Sequence, residues 1–422
     1  MEHSRRMVPH LGLPALMAGI LLVLQVIAPA PPLTYVLAVL GGAVAIGYYW
    51  ARQLAQGVSL ERERRYGWAQ VGDVIEERFA LRNESWLPAL WAEVRDHSTL
   101  PGYTASRVTG VDGHSRTFWI SEGECRRRGV FTLGPLDVTL ADPFGFFTVH
   151  LRVGEEVSFV VYPVIAALPP LELPRGSAPG RVRAAVHSHE VTPNASAVRP
   201  YVPGDTLRGI HWRTTARRDE LYVKEYDREP AGDLWILLDL QQAVQAGEGE
   251  FSTEEYGITI AASLADAMLR QGRAVGLLCE GHRHVILHPE RGEMQLWRML
   301  STLAAARASG TKAFGQLVQE AAPVLGRGIS AALITPSLQA EWLVALLDLE
   351  QRGVGTSVVL IDPVSFGGSG NLQAMLGLLS ERGVPVRVFG RGFRFRPLME
   401  RRQQRPTYKV LGTGRVVVVP PA

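Results

Sequence analysis

The chain has 422 residues, of which 46% are hydrophobic and 20% charged, so it can bury a core and is not wholly disordered. This length allows two or three domains. The 44 basic and 41 acidic residues leave a net charge of only +3, and we therefore expect no dedicated nucleic-acid binder. The two cysteines, Cys125 and Cys279, cannot build a disulfide framework and favour a reducing compartment.

The first fifty residues predict a transmembrane hairpin. No Asp, Glu, Lys or Arg occurs between Met7 and Ala51, and two apolar runs, residues 11–28 and 33–50, fill this window. Each run is just long enough for a helix to cross the hydrocarbon core. The sequence PAPP between the runs predicts a tight turn, because proline cannot continue a helix. We therefore expect residues 11–50 to contact a lipid bilayer.

Basic residues flank the hairpin and set its expected orientation. Arg5 and Arg6 precede the first run and Arg52 follows the second, whereas the turn carries no charge. The positive-inside rule then predicts two spans in the plasma (inner) membrane, with both termini in the cytoplasm. Aromatic rings are expected at the membrane interface from Tyr48, Tyr49 and Trp50. A cleaved signal peptide is the alternative interpretation, but a second apolar run follows its cleavage site directly.

Residues 1–54 form the predicted hairpin, and residues 55–165 predict an all-β, sandwich-like domain. Short runs that alternate between apolar and polar residues are separated by turn residues, a pattern typical of antiparallel strands. In ALWAEVRD, for example, Leu90, Ala92 and Val94 are expected on one face and Trp91 on the other. The aromatic residues of ADPFGFF are expected to pack in the core or at a sheet edge. Nothing in this region suggests catalysis.

Residues 166–230 predict a linker followed by a signature segment, and residues 231–422 predict an α/β domain. From DLWILLDL to VPVRVFG, apolar strands alternate with amphipathic helices, which indicates a parallel sheet covered on both faces. Ser252 or Thr253 would cap the first of these helices. The predicted fold class is therefore a membrane α-hairpin, an all-β sandwich-like domain, and a three-layer, Rossmann-like α/β domain.

The most informative stretch is RPYVPGDTLRGIHWRTTARRDELYVKEY, residues 199–226. It predicts a turn, a helix of about three turns over Thr206–Arg217, and a strand. Its mixture of acidic and basic residues suits an ion-pair network that locks one domain on another. The other interpretation is a recognition surface for a protein partner or a phosphate-bearing ligand, because Trp, Tyr and Arg dominate binding hot spots. The candidate residues are Arg199, Tyr201, Gly204, Asp205, Arg208, Trp212, Arg213, Arg217 and Lys224.

This stretch resembles the signature of the domain of unknown function 58 family. The pattern Arg-x-Tyr-x-x-Gly-Asp-x-x-Arg-x-Ile-x-Trp runs from Arg199 to Trp212, and the elements that follow are matched by Ala216, Arg217, Val223 and Lys224. The upstream sequence RRGVFTLGPLDVTLADPFGFF resembles a second element of the family. The resemblance implies a membrane-anchored partner of a MoxR-type AAA+ ATPase, acting in assembly, chaperoning or envelope stress.

The order of strands and helices after residue 230 resembles a von Willebrand factor A-type domain. Such domains often hold a divalent cation through Asp-x-Ser-x-Ser after the first strand, and Asp239 stands at this place. Gln241 and Ala243 replace both serines, so we expect no functional metal there and expect Asp239 to cap a helix or meet a basic side chain. A second metal option is one face of a predicted hairpin with His282, His284 and His288.

These patterns favour a non-enzymatic, membrane-anchored adaptor or scaffold that needs no cofactor. The alternative is a metal-dependent or hydrolytic enzyme at the cytoplasmic face of the membrane. That enzyme would use Asp205, His211 and Asp239, although nothing in the sequence fixes their geometry. The sequence contains no Walker A motif and no Gly-x-Ser-x-Gly or His-Glu-x-x-His pattern.

Overall fold

The computed structural model describes residues 4–64, 67–174, 195–202, 210–218, 220–226, 232–398, 407–410 and 416–419. The chain divides into two compact units, which are described separately below. The first unit comprises residues 1–163 together with 400–422, and the second comprises residues 164–399.

The first unit contains two apolar helices and a β-rich region. Its elements are β1 (Ser4–Pro9), α1 (Gly12–Ile27), α2 (Pro31–Gly57), β2 (Val58–Arg64), β3 (Trp68–Gln70), β4 (Val74–Asn83), β5 (Ala89–Asp96), β6 (Arg107–Val111), β7 (Ser115–Glu124), β8 (Gly129–Leu133), β9 (Leu136–Ala141), β10 (Phe147–Val153) and β11 (Val157–Tyr162).

The eleven strands of this list form three sheets that share one hydrophobic core. The sheet β1-β10-β9-β5-β6 is antiparallel throughout, as is the sheet β2-β4-β7. In the third sheet, β3-β11-β8, strands β3 and β11 run parallel. Phe79 stacks on Trp119 in the core, with ring centroids 5.3 Å apart. The predicted β-rich region is therefore confirmed.

One face of β5 differs from the predicted alternation. Ala89, Ala92 and Val94 are buried, whereas Leu90 and Trp91 are both exposed. The pairing with β6 shifts register between Ala89 and Ala92. A bulge adds one residue to a strand and rotates the following side chains to the other face. The prediction that Leu90 shares a face with Ala92 was therefore wrong.

Helix α2 is apolar and exposed in its first half and buried in its last turns. Val36 and Val39 lie on the surface, while Ala51 and Leu54 belong to the core of the β-rich region. By length and composition, α2 is long enough to cross a membrane, and α1 is a shorter apolar helix. Because Pro31 and Pro32 begin α2 and do not lie in the turn, the connection is shorter than predicted.

Strand β1, which precedes α1, pairs with a sheet of the same β-rich region in which the last turns of α2 are buried. Arg6 pairs with His150 of β10, and β1 is the edge strand of its sheet. The Arg5 guanidinium donates hydrogen bonds to the carbonyls of Ala55 and Gln56, at 2.8 and 3.1 Å. These carbonyls lie at the negative end of the α2 dipole, where a cation is stabilising. Both ends of the hairpin are thereby held together.

The second unit is a three-layer α/β structure preceded by a small hairpin. Its elements are β12 (Ala166–Ala167), β13 (Ala195–Pro200), α3 (Trp212–Arg218), β14 (Tyr222–Tyr226), β15 (Leu234–Leu238), β16 (Gly247–Glu248), β17 (Phe251–Ser252), α4 (Thr253–Arg270), β18 (Val275–Glu280), β19 (His284–Glu290), α5 (Glu293–Ala305), α6 (Phe314–Ala321), β20 (Ser330–Thr335), α7 (Trp342–Gln351), β21 (Gly355–Ile361), α8 (Leu372–Glu381), β22 (Val386–Phe389) and β23 (Arg396–Pro397). The C-terminal strands β24 (Thr407–Val410) and β25 (Val416–Val419), which belong to the first unit, form an antiparallel pair.

The central sheet of the second unit has the order β19-β18-β15-β20-β21-β22. All of its neighbours are parallel except the edge strand β19, which is antiparallel. Trp235 and Leu237 pack towards α6 and α7, whereas Gly257 of α4 approaches Leu238 on the other face. Ser252 caps α4 by accepting a hydrogen bond from the amide of Glu255, as predicted.

The buried end of α2 gives a stability prediction. A Cβ at Gly57 would lie 2.6 Å from the backbone nitrogen of Ser85, so Gly57→Ala forces a backbone shift. We expect the substitution to lower the free energy of unfolding by about 1–3 kcal/mol, measured by denaturation of the detergent-solubilised protein. The control is Gly41→Ala in the same helix, where nothing lies within 4 Å of the added atom. Equal stability of the two variants would contradict this packing.

Candidate functional site

The signature segment folds as an antiparallel hairpin that carries a short helix. Arg199 of β13 pairs with Val223 of β14, and Val198 pairs with Lys224. The amide of Tyr201 continues the pairing by donating to the carbonyl of Leu221 at 2.8 Å. The segment thus places Arg199 and Lys224 on paired strands. Gly204, Asp205 and Arg208 lie outside the described residues.

The helix of the signature segment begins later than predicted. Ile210 is buried and forms a β-bridge with Val223, so it is part of the hairpin and not of a helix over Thr206–Arg217. Helix α3 starts at Trp212, and Nδ1 of His211 accepts a hydrogen bond from the amide of Thr214. The backbone bridge explains the difference, because a residue paired with Val223 in this way does not continue a helix.

One face of α3 is open and combines an indole ring with two guanidinium groups. At 100° per residue, Trp212, Arg213, Ala216 and Arg217 lie within about 140° of arc. All four are exposed, and the Trp212 side chain is 67% accessible. Thr215 lies on the opposite side and accepts a hydrogen bond from the amide of Tyr222 at 3.0 Å. We call the four exposed residues the α3 surface.

The second candidate place is the edge of the central sheet where the parallel strands end. Asp239 follows β15 and Thr335 ends β20, and these adjacent strands lead to helices on opposite faces of the sheet. In doubly wound folds such a switch point is where ligands bind. Asp239 is 3% exposed, and its Oδ2 accepts a hydrogen bond from the Thr335 hydroxyl at 2.6 Å. Its Oδ1 accepts from the amide of Gln241 at 3.0 Å.

These contacts correct the expected partners of Asp239. It was predicted to cap a helix or to meet a basic side chain, whereas its partners are a hydroxyl and an amide. Burial raises the pKa of Asp239 to about 6, and the two hydrogen bonds oppose this shift. The loop that follows is closed by Gln245, which donates to the Asp239 carbonyl and accepts from the Thr253 hydroxyl.

Thr335 and Ser337 are members of this site that the sequence did not identify. Both are buried, and the Ser337 amide donates to the Thr335 hydroxyl oxygen at 2.9 Å. Thr335 is 96 residues from Asp239, so spacing alone gives no warning of the contact. The available signal was the polar sequence TPS directly after the buried strand SAALI, because parallel strands end at one edge.

The histidine cluster is arranged differently from the prediction. His284 and His288 lie on the exposed face of β19, and His282 precedes the strand. His284 instead joins Glu280 and Glu320 in a carboxylate-rich group. The Lys312 ammonium lies 2.7 Å from Glu280 and 2.8 Å from Glu320. Lys312 therefore supplies the positive charge of this group, and its hydrogen bond lowers the pKa of Glu280.

A small cavity also lies at the end of β18. Its volume is about 160 Å³, and its walls include Leu240, Cys279, Thr302 and Ala306. Burial raises the pKa of the Cys279 thiol to about 12, so the thiolate that nucleophilic chemistry requires is disfavoured. Apolar side chains form about half of its lining, and His282 and Arg283 also contribute.

Comparisons with known proteins give a partial match. The model of the family described as "Protein of unknown function DUF58" matches residues 197–365, less than half of the chain. The chain is 28% identical over 137 residues to "Uncharacterized protein YeaD" of Bacillus subtilis strain 168, a match that covers 32% of each protein. The chain thus spans about a third of this relative's length. The predicted resemblance to the family is confirmed for residues 197–365.

Solved structures add only distant likenesses. A complex of zinc 2-glycoprotein with prolactin-inducible protein from human seminal plasma is 7% identical, with a TM-score of 0.20, and covers 25% of this chain and 96% of its own. The CARDB domain of PF1109 from Pyrococcus furiosus is 10% identical, with a TM-score of 0.18, and covers 25% and 95%. Scores of this size do not indicate a shared fold.

The buried carboxyl group gives a pH prediction. The pKa of Asp239 is about 6 in the folded protein and 3.8 in an unfolded chain. Between pH 3.8 and pH 6, the folded state therefore holds a proton that the unfolded state releases. The contribution of Asp239 to the free energy of unfolding is therefore fully present below about pH 4, and it is lost as the pH rises through about 6. We expect Asp239→Asn to gain on the order of 2–3 kcal/mol relative to wild type between pH 4 and pH 7.

Denaturant unfolding at a series of pH values measures this difference. The control is Asp362→Asn, another aspartate that follows a strand of the same sheet but is only partly buried. This variant makes the same change of charge at a partly exposed position, so the comparison isolates the effect of burial at Asp239. A constant difference between Asp239→Asn and wild type would show that burial does not disfavour the charged form.

Proposed function

We propose that the protein is a non-enzymatic, membrane-anchored adaptor that docks a MoxR-type AAA+ ATPase or its client in assembly or chaperoning. The ATPase comes from the family resemblance. The observation that carries the adaptor function is the α3 surface, where an exposed indole lies beside two arginines. Trp and Arg are the residue types that most often dominate binding hot spots. The α3 surface lies within the segment that the family model matches.

The membrane part of the proposal is supported by the apolar side chains that α1 and α2 expose. Leu13, Leu16, Ile20 and Val26 of α1 are all on the surface, as is Val39 of α2. An exposed apolar area of this extent is unfavourable in water and suits a hydrocarbon environment. We propose that both helices cross the bilayer as a hairpin, with α1 at the short end of the spanning range.

The proposed topology is supported by the contacts that hold the two ends of the hairpin together. β1 enters the sheet beside β10, and Arg5 binds the carbonyls at the end of α2. The two ends therefore lie on one side of the proposed membrane. Since Arg6, Arg52 and Arg62 are on this side, the positive-inside rule places it in the cytoplasm. Cleavage as a signal peptide would remove the edge strand β1, which favours a retained hairpin.

The second unit is proposed to be a von Willebrand factor A-like domain. In chain order its sheet strands are arranged 3-2-1-4-5-6, with the third antiparallel, which supports the resemblance of the sequence pattern. The cation site of such domains is not retained in its usual form, because Gln241 and Ala243 replace the serines. Asp239 instead uses both oxygens within the fold.

The enzymatic alternative has weaker support. It requires Asp205, His211 and Asp239 to act together, and Asp205 lies outside the described residues. Nδ1 of His211 is engaged with Thr214 of the same turn, at 2.7 Å from its hydroxyl. Asp239 is engaged with Thr335 and is inaccessible. These contacts give both groups a structural role, which favours the adaptor.

The adaptor function is tested by affinity capture of the detergent-solubilised protein, with and without ATP, followed by mass spectrometry. We expect a MoxR-type ATPase to be enriched. In direct binding to the purified ATPase, Trp212→Ala is expected to weaken the complex by at least about tenfold, as is the pair Arg213→Ala/Arg217→Ala.

The matched control is Val344→Ala, which removes an apolar side chain of equal exposure, 67%, from α7. It should bind the ATPase like the wild type. All variants alter exposed side chains and should unfold like the wild type. Failure to enrich such an ATPase, or equal binding by the Trp212 and Val344 variants, would reject the proposed docking surface.

A further inference from the structure

Four exposed aromatic rings lie at the point where α2 enters the β-rich region. Tyr48 and Tyr49 belong to α2 itself. Trp86 lies in the turn between β4 and β5, and Phe144 lies in the turn between β9 and β10. Trp86 is 59% and Phe144 48% exposed, although both are large and apolar. The two turns are far apart in sequence but meet the same helix.

Measured contacts join both turns to α2. The rings of Tyr49 and Trp86 have centroids 6.4 Å apart. A Cβ added at Gly47 would lie 3.6 Å from the Phe144 ring, so the helix passes close to the second turn. The Tyr48 ring meets Phe147, at the start of β10, at 5.7 Å. The exposed rings therefore all lie near residues 47–49 of α2.

Hydrogen bonds order both turns, and one of them joins the first turn to the helix. The indole nitrogen of Trp50 donates to the carbonyl of Pro88 at 3.0 Å, so this partly buried ring secures the first turn to α2. The Asp142 carboxylate accepts from the amides of Phe144 and Phe147, at 2.8 and 2.6 Å. The exposure of Trp86 and Phe144 is therefore built into ordered turns.

The length of α2 from the hairpin turn to these rings can be compared with the thickness of a bilayer. Pro31 begins the helix at the hairpin turn, and Tyr48 follows 17 residues later. At 1.5 Å per residue this distance is about 26 Å, close to the ~30 Å of a hydrocarbon core. At the opposite end, Gln25 and Thr34 satisfy each other with a hydrogen bond of 3.2 Å. The rings thus lie about one hydrocarbon thickness from the polar tip.

We propose that Tyr48, Tyr49, Trp86 and Phe144 form an interfacial collar that inserts into the cytoplasmic headgroup region of the bilayer. Amphipathic aromatic rings prefer this region, and Tyr and Trp keep their polar groups in contact with water there. Through its two turns, the β-rich region binds lipid directly and is held at a fixed depth. The inference rests on the proposed membrane anchoring and extends it from the hairpin to the β-rich region.

The test uses the full-length protein reconstituted in phosphatidylethanolamine–phosphatidylglycerol vesicles. Trp86→Cys and Phe144→Cys variants carry a nitroxide spin label, and collision rates with oxygen and with a water-soluble nickel chelate report depth. Cys125 and Cys279 are buried, and burial raises the pKa of both thiols to about 12, so background labelling should be low. Near-ultraviolet circular dichroism confirms that each variant folds.

Two further positions make the outcomes distinguishable. Phe118→Cys, at a ring that is 69% exposed on β7 and outside the collar, is the control for an exposed aromatic residue in water. Val39→Cys reports whether α2 lies in lipid. We expect the oxygen-to-nickel ratio at positions 86 and 144 to be severalfold higher than at 118 and lower than at 39.

A lipid environment at position 39 with aqueous values at 86 and 144 would reject the collar and leave the anchoring intact. An aqueous value at 39 would reject the anchoring and the collar together. A second measurement does not depend on labelling. Quenching of tryptophan fluorescence by brominated lipids should decrease in Trp86→Phe, and an unchanged quenched fraction would contradict insertion of Trp86.

Discussion

The first unit depends on the burial of the last turns of α2 in a β-sheet core. Ala51 and Leu54 are fully buried among strands, while Val36 and Val39 of the same helix are exposed. A single continuous helix therefore belongs to two environments and cannot change its position in one without disturbing the other. Arg5 strengthens this link by binding the carbonyls at the end of α2. The hairpin is thus part of the folded unit and not a flexible tether.

In the second unit, hydrogen bonding determines which polar and aromatic side chains remain available to contact a ligand or partner. The switch point of such a sheet is a common ligand site. In this protein, the Thr335 hydroxyl there donates its hydrogen bond to the Asp239 carboxylate. The α3 surface differs because Trp212 stays exposed on a helix whose other side, at Thr215, is fixed to the hairpin. An exposed indole on an ordered helix can bind a partner at a small cost in conformational entropy.

The sequence predicted the elements whose signal is local. Periodicity located β4, β5 and the alternating strands and helices of the α/β unit, and Ser252 is one of the two residues predicted to cap α4. The errors arose where a distant contact decides the structure. Ile210 leaves the predicted helix because Val223 pairs with it, and Leu90 is exposed because of a bulge in β5. The pairing of Asp239 with Thr335 crosses 96 residues, a separation that no local pattern reveals.

Trp86 and Trp212 are both exposed indoles, but their neighbours differ. Trp86 lies against Tyr49 of an apolar helix, with ring centroids 6.4 Å apart. Trp212 shares its helix face with Arg213 and Arg217, whose charges would be costly to bury in hydrocarbon. Arginines that surround an indole instead offer directed hydrogen bonds to carboxylates and carbonyls, which a protein partner supplies. Neighbouring charge therefore supports the proposed lipid contact of Trp86 and the proposed protein contact of Trp212.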